Sequence, residues 1–156
     1  MSGLNAVGNK RNFWAVLPVL PAPELTALAQ LYENLGFEGV FCAQVYGPPF
    51  VPLAAAATVT STLKLGTGVA IAAARSPMDT AMAAIDLDRI SQGRLLLGLG
   101  SSISSWTTGI FGTPEIKPIA HLRDTIAAIR HIEAGAHLGL KPYHGTYFNA
   151  SFEAML

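Results

Sequence analysis

The sequence has few charged residues and almost no cysteine. Ten basic and ten acidic side chains make up 13% of the 156 residues, and they leave a formal net charge of zero. Without a basic stripe, nucleic acid and anionic membranes are not expected as main partners. The single cysteine excludes an intramolecular disulfide framework and indicates a reducing, cytoplasmic location.

Long hydrophobic runs are also missing, since none reaches the ~18 residues that a membrane span needs. The run from Phe13 to Leu20 follows Lys10 and Arg11, as in a signal peptide, but prolines interrupt it. A first strand is therefore the favoured interpretation. Residues 1–11 form a polar, glycine-containing leader, and residues 12–156 are predicted to form a single domain.

Metal and thiol chemistry find little support in the sequence. The four histidines lack the spacing of a metal site, so no metal is expected and a solvated surface position is the default for His121 and His144. Cys42 lies at the end of a predicted strand with no identifiable base beside it. It is interpreted as a small hydrophobic residue.

What the sequence does contain is a strongly apolar strand–helix–strand unit. Lys64 to Ile71 and Arg94 to Leu99 are nearly continuous apolar runs, and they flank a helix predicted over Ser76 to Gln92. Ser76 is a helix N-cap followed by proline, and Gly93 suits the left-handed residue that ends a helix. Continuous apolarity indicates strands that are covered on both faces, which is typical of a parallel sheet.

The same alternation extends along the whole chain. Further strands are predicted over Phe13–Leu17 and Gly39–Ala43, and further helices over Glu24–Leu35, Pro52–Ser61 and Ile119–Ala134. The stretch from Gly100 to Pro118 has no helical period and is predicted to be a loop, and Leu138 to Phe148 a short hairpin.

Four strand–helix units predict an α/β fold of the (β/α)₈ TIM-barrel type, present as about half a barrel with a parallel sheet and two open edges. A doubly wound dinucleotide-binding sheet is the competing architecture. That fold would carry Gly-x-Gly-x-x-Gly after the first strand, whereas here Gly98 and Gly100 follow the fourth predicted strand and position 103 is Ile.

Several motifs then carry a resemblance to a known family. They are Leu65-Gly66-Thr67-Gly68-Val69, Arg75-Ser76-Pro77-Met78, residues 86–94 (Asp-Leu-Asp-Arg-Ile-Ser-Gln-Gly-Arg) and Leu97-Gly98-Leu99-Gly100. In order and spacing the set resembles the central signature of the bacterial-luciferase-like monooxygenase superfamily, whose members are (β/α)₈ barrels. Residues 35–40, 111–114 and 144–148 are similar to the branch that uses the deazaflavin coenzyme F-420. The resemblance covers about Phe13 to Tyr147 and the N-terminal half of such an enzyme.

The resemblance implies a flavin- or deazaflavin-dependent oxidoreductase or monooxygenase. Coenzyme F-420 is the implied cofactor, with FMN as the alternative, and hydride would pass to or from a small organic substrate. The carboxyl ends of parallel strands are where α/β proteins bind ligands, so small residues there are the candidate cofactor contacts. These candidates are Gly68, Val69, Ala70, Ile71, Gly98, Gly100, Ser101 and Ser102. No catalytic residue is identified.

The chain also departs from the family pattern. Where relatives of the deazaflavin type usually carry an acidic residue and a polar pair after the second strand, this chain has Gln44, Gly47 and Pro48. Gly109 and Ile110 stand where basic residues are expected. The alternative function is therefore a non-catalytic half barrel that acts as an oligomerising or ligand-binding module.

Two structural expectations complete the interpretation. Arg94 enters a strand at its amino end, which is the stability side of a barrel, and it is predicted to pair with Asp86 or Asp88. Four parallel strands leave inward-pointing apolar side chains uncovered, so a homo-oligomer is expected.

Overall fold

The computed structural model describes residues 12–45 and 47–151, and the predicted leader lies outside this part of the chain. The strands are β1 (Trp14–Val16), β2 (Gly39–Cys42), β3 (Lys64–Thr67), β4 (Ala70–Ile71), β5 (Leu95–Leu96), β6 (Leu99–Gly100), β7 (Tyr143–His144) and β8 (Asn149–Ala150). The helices are α1 (Ala22–Asn34), α2 (Phe50–Ala57), α3 (Pro77–Ile90), α4 (Ser104–Gly109) and α5 (Pro118–Gly135). None of the described helices is long and apolar enough to cross a membrane.

The main sheet has four parallel strands in the order β1-β2-β3-β5. Within this sheet, each strand pairs with the sheet strand that follows it in sequence, as in a barrel. A doubly wound sheet would instead return to the other side of its first strand. The strand order therefore confirms the prediction of an α/β half barrel.

Two of the predicted strands are each divided in two. The predicted strand over Lys64–Ile71 is interrupted after Thr67, where the Gly68–Val69 peptide bond is cis, and the strand over Arg94–Leu99 is interrupted at Leu97 and Gly98. The second pieces, β4 and β6, pair with each other in parallel. The parallel pairing thus continues beyond the interruption.

The central helix begins where the sequence indicates and ends two residues before the predicted end at Gln92. The Ser76 hydroxyl accepts a hydrogen bond from the Asp79 amide at 3.0 Å, which satisfies one of the free N–H groups of the first turn. The helix ends at Ile90, and the chain leaves it through Gln92 and Gly93, both with positive φ. A C-terminal glycine accepts this left-handed conformation without steric cost.

The large apolar residues of the helix predicted over Ile119–Ala134 form a stripe of Ile119, Leu122, Ile126 and Ile129, and the buried face of α5 differs from it. Its buried residues are Thr125, Ala128, Ile129 and Ile132, whereas Ile119 is 66% exposed. Ile129 is common to both sets. Counting large apolar residues alone missed the small side chains at positions 125 and 128, which complete the buried face.

The segment after β6 is not a structureless loop. Residues 104–109 form α4, whose Ser, Thr and Gly composition hides any helical period, and the Thr113 hydroxyl donates to the Ala73 carbonyl at 2.7 Å. A C-terminal hairpin is present as predicted, but its second strand, β8, lies beyond the predicted end at Phe148. Asp124 on α5 holds it, because its carboxylate accepts from the Tyr143 hydroxyl at 2.7 Å and the Tyr147 amide at 2.6 Å.

The main sheet has one covered and one uncovered face. Val40, Cys42 and Leu65 point into a core formed with Leu25, Ala29, Leu53, Ala56 and Leu87 from the helices. The opposite face, called the open face here, consists of Trp14, Val16, Phe41, Val69 and Leu96. Three of these side chains, Val16, Leu96 and Val69, are 54%, 47% and 41% exposed.

Arg94 stabilises the amino-terminal side of the sheet, but not through the predicted ion pair. Its guanidinium donates to the carbonyls of Ala57, Thr60, Leu63 and Ser91 and to the Thr60 hydroxyl, at 2.6 to 3.1 Å. These five bonds use all five donors of the side chain, so none remains for Asp86 or Asp88. The Asp88 carboxylate instead accepts from the Leu95 amide.

We expect Arg94→Met to lower the free energy of unfolding by about 3 kcal/mol, because several half-buried carbonyls would lose their donors. Arg89→Met is the matched control, since Arg89 is exposed at the end of α3. Urea unfolding of both variants measures the difference. Equal stability of the two would show that water replaces the guanidinium at no cost.

We also expect the purified chain to self-associate through the open face. Burying about 400 Å² of apolar surface stabilises by about 10 kcal/mol, which is comparable to the net stability of a domain. β1 and β5 are, within the described residues, the unpaired edges of the main sheet, and a second copy would cover both edges and the face. Light scattering measures the mass. A monomer of 16.4 kDa that melts cooperatively and binds no hydrophobic dye would contradict this expectation.

Candidate functional site

The two halves of the predicted cofactor site lie side by side at the carboxyl ends of the strands. In the β4–β6 pair, Ala70 is opposite Leu99 and Ile71 is opposite Gly100. The Ala70 amide donates to the Gly98 carbonyl at 2.8 Å. Segments 68–71 and 98–102, which were predicted separately, therefore form one continuous surface.

The Thr67 side chain joins this surface to the main sheet. Its hydroxyl donates to the Gly98 carbonyl at 2.7 Å and accepts from the Gly98 amide at 2.8 Å. One side chain thus replaces the backbone hydrogen bonds that are missing where the strands are interrupted. On the other side, the Gly68 amide donates to the Cys42 carbonyl at 2.9 Å.

Glycines on the open face make room for large side chains of the neighbouring strand. A Cβ atom on Gly39 would lie 2.6 Å from the Trp14 ring, one on Gly68 2.7 Å from the Phe41 ring, and one on Gly100 2.6 Å from Cγ2 of Val69. The aromatic and valine side chains therefore lie flat across glycine backbone. The result is a smooth apolar surface.

This surface forms a shallow concavity of about 490 Å³. It is lined by Trp14, Phe41, Gly66, Thr67, Gly68, Val69, Leu96, Leu97 and Gly98. The volume lies in the range of small-molecule sites, ~300 to 1,000 Å³, and flat apolar walls suit a planar ring. We call this concavity the shelf.

The predicted contacts divide into three groups. Gly68, Val69 and Gly98 line the shelf. Ala70 and Ile71 are buried, so any contact they make with a ligand there would be through the backbone. The remaining three, Gly100, Ser101 and Ser102, are half-buried just beyond it, where hydroxyl and amide groups can hold a polar group or phosphate.

Sequence reasoning missed two polar residues beside the shelf, Gln44 and Arg75. The buried side chain of Gln44 accepts from the Ile71 amide at 2.9 Å and from Nη2 of Arg75 at 2.8 Å. Burial lowers the pKa of the Arg75 guanidinium, and nearby Asp79 partly offsets this effect. Gln44 comes two residues after the end of the buried strand β2, and this position was the signal in the sequence that could have indicated a role at the site.

The remaining candidate residues are Cys42 and the histidines at positions 121 and 144. Cys42 is buried in the core, and burial raises the pKa of its thiol, which agrees with its interpretation as a small hydrophobic residue. His144 is exposed, but His121 is half-buried against the Tyr147 ring at a centroid distance of 5.3 Å. Within the described residues, no group of three His, Cys, Asp or Glu side chains could hold a metal ion.

Comparison with known proteins identifies the family. The model of the luciferase-like monooxygenase family matches residues 9–155. The chain belongs to this family. A proposed coenzyme F-420-dependent oxidoreductase of Mycobacterium tuberculosis is 37% identical over 129 residues, which cover 82% of this chain and 36% of that protein.

Solved luciferase-like structures share the fold. The coenzyme F-420-dependent tetrahydromethanopterin reductase of Methanopyrus kandleri superposes with a TM-score of 0.72 at 25% identity, covering 90% of this chain and 44% of the reductase. The oxygenating constituent of 3,6-diketocamphane monooxygenase from Pseudomonas putida, solved with FMN, gives 0.71 at 17% identity, covering 83% and 38% of the two chains. This luciferase-like chain spans less than half the length of each relative.

Gly98 and Gly100 should differ in how well they tolerate an added methyl group. A Cβ on Gly98 would meet the carbonyl oxygen of Thr67, which is fixed backbone, whereas one on Gly100 would meet the partly exposed side chain of Val69. We therefore expect Gly98→Ala to lower the melting temperature clearly and Gly100→Ala to lower it little. Thermal unfolding followed by circular dichroism measures both. The reverse order would mean that the Thr67–Gly98 contact is not a tight constraint.

Proposed function

We propose that this luciferase-like chain is a flavin- or deazaflavin-dependent oxidoreductase in which the shelf holds the coenzyme ring. The observation that carries the proposal is the pairing of β4 with β6 beside an apolar concavity of about 490 Å³. Coenzyme F-420 is the favoured ligand because the F-420-dependent relative matches most of this chain. FMN is the alternative, supported by the FMN-bound relative of the same fold.

The side chains of the shelf suit a role in binding and orientation. Phe41 and Val69 offer apolar surface to one face of a ring and exclude water from it. Ser101 and Ser102 follow β6 and offer hydroxyl and amide groups for a polar edge or a phosphate. The bound coenzyme would itself supply hydride transfer to or from a small organic substrate.

The loop after β2 offers no strong acid or base to the proposed site. Residues 43–49 read Ala-Gln-Val-Tyr-Gly-Pro-Pro and contain no Asp, Glu, His or Lys. Proton transfer by a side chain of this loop therefore depends on the weakly acidic Tyr46 alone. The proposal accordingly assigns binding and orientation of the ring to the shelf and no acid–base role to this loop.

A second candidate function is a non-catalytic half barrel that binds a ligand or a second copy of the chain. It is supported by the uncovered apolar face and by the missing acid–base groups after β2. The two candidates differ in coenzyme binding and turnover. Trp14, Phe41, Val69 and Leu96 belong to both the open face and the shelf, so self-association through that face and coenzyme binding would compete.

Titration with coenzyme F-420 and with FMN, followed by visible absorbance and fluorescence, tests the proposal. We expect saturable binding of one of them, and its loss in Gly100→Val, because the larger side chain would push Val69 over the shelf. Ala27→Val, at an exposed position, is the control. Gly36→Val would not serve, because Gly36 has a positive φ. Binding of neither coenzyme by the folded wild-type chain would favour the non-catalytic module. Unchanged affinity in Gly100→Val would contradict the position of the site.

A further inference from the structure

Gln44 contacts the shelf segment with both its backbone and its side chain. Its amide donates to the Val69 carbonyl at 3.2 Å, and its side-chain oxygen accepts from the Ile71 amide at 2.9 Å. The residue is 7% exposed, and Ile71 is 5% exposed. These two bonds hold the segment from Val69 to Ile71, on which the ring would rest, against the end of β2.

The same side-chain oxygen also binds Arg75. Nη2 of Arg75 donates to it at 2.8 Å, and the guanidinium lies over the Phe50 ring at 5.3 Å. The Nε atom is buried, has no hydrogen-bond partner among the described residues, and lies 3.8 Å from the carboxylate of Asp79. Since the side chain of Asp79 is 64% exposed, solvent screens its charge.

A neutral amide at position 44 therefore leaves the Arg75 charge only partly compensated. A carboxylate at that place could accept the same two hydrogen bonds and would neutralise the guanidinium directly. The side-chain oxygen of Gln44, which the Ile71 amide and Arg75 share, is thus the group that fixes the backbone.

We propose that Gln44 is a positioning residue that fixes the Val69–Ile71 backbone beneath the coenzyme ring. The inference rests on the proposed function and deepens it. It assigns a role to a residue that otherwise looks like the loss of an acidic group.

Two substitutions separate the hydrogen bonds from the charge. Gln44→Leu removes the acceptor at similar size, and Gln44→Glu keeps an acceptor but adds a negative charge. We expect Gln44→Leu to weaken binding of oxidised FMN or F-420, whichever the wild-type chain binds, by about tenfold, and Gln44→Glu to restore most of it. Arg94→Met, which destabilises the opposite side of the sheet, should leave the affinity unchanged.

Rescue by the conservative variant is the readout that separates positioning from a general loss of stability. Unchanged affinity in Gln44→Leu, or a loss in Gln44→Glu as large as that in Gln44→Leu, would overturn the proposal.

Hydrogen exchange at the Ile71 amide distinguishes a failure of this inference from a failure of the proposed function. We expect faster exchange in Gln44→Leu and wild-type protection in Gln44→Glu, with or without coenzyme. Wild-type protein that binds neither coenzyme would overturn the proposed function and, with it, the role of Gln44 toward the ring. Equal protection of the Ile71 amide in all three proteins would overturn the claim that Gln44 fixes this backbone segment.

Discussion

The candidate site depends on one contact between a side chain and backbone. The Thr67 hydroxyl exchanges two hydrogen bonds with Gly98, and a Cβ atom at position 98 would collide with the Thr67 carbonyl oxygen. This contact keeps two interrupted strands together where their regular pairing stops. Because of it, β4 and β6 continue the parallel sheet instead of diverging, and the surface they form lies at the carboxyl ends of the strands.

The two ends of the sheet have different chemistry. At the amino-terminal side, Arg94 saturates five backbone and hydroxyl acceptors. Nearby, one carboxylate oxygen of Glu33 accepts from the amides of Ser61, Thr62 and Leu63. Burial alone would raise the pKa of Glu33, but these hydrogen bonds outweigh it and lower the value to about 2. At the carboxyl side, by contrast, the surface is apolar and glycine-rich, which suits a barrel that keeps stability and ligand binding at opposite ends.

Local patterns allowed much of the fold to be predicted from the sequence. The Ser76 cap, the glycine after α3 and the apolar strands act over a few residues, so their structural effect can be inferred from neighbours. The interruption after Thr67 could not be inferred, because it depends on a hydroxyl that bonds to a residue 31 positions away. The partners of Gln44 are likewise 27 and 31 positions away. The predicted ion pair of Arg94 was wrong for the same reason, since four of its five guanidinium hydrogen bonds go to residues 31 to 37 positions away.

The central claim is that a flavin-type ring rests on the shelf between the ends of β3 and β6. Hydrogen–deuterium exchange of the chain with and without saturating coenzyme F-420 or FMN tests it most directly. The account predicts new protection at residues 66–71 and 96–102, which include the shelf lining of these two segments, with the α5 surface unchanged. Protection elsewhere, for example along the exposed side of α5 around Ile119, with none at these two segments, would contradict it.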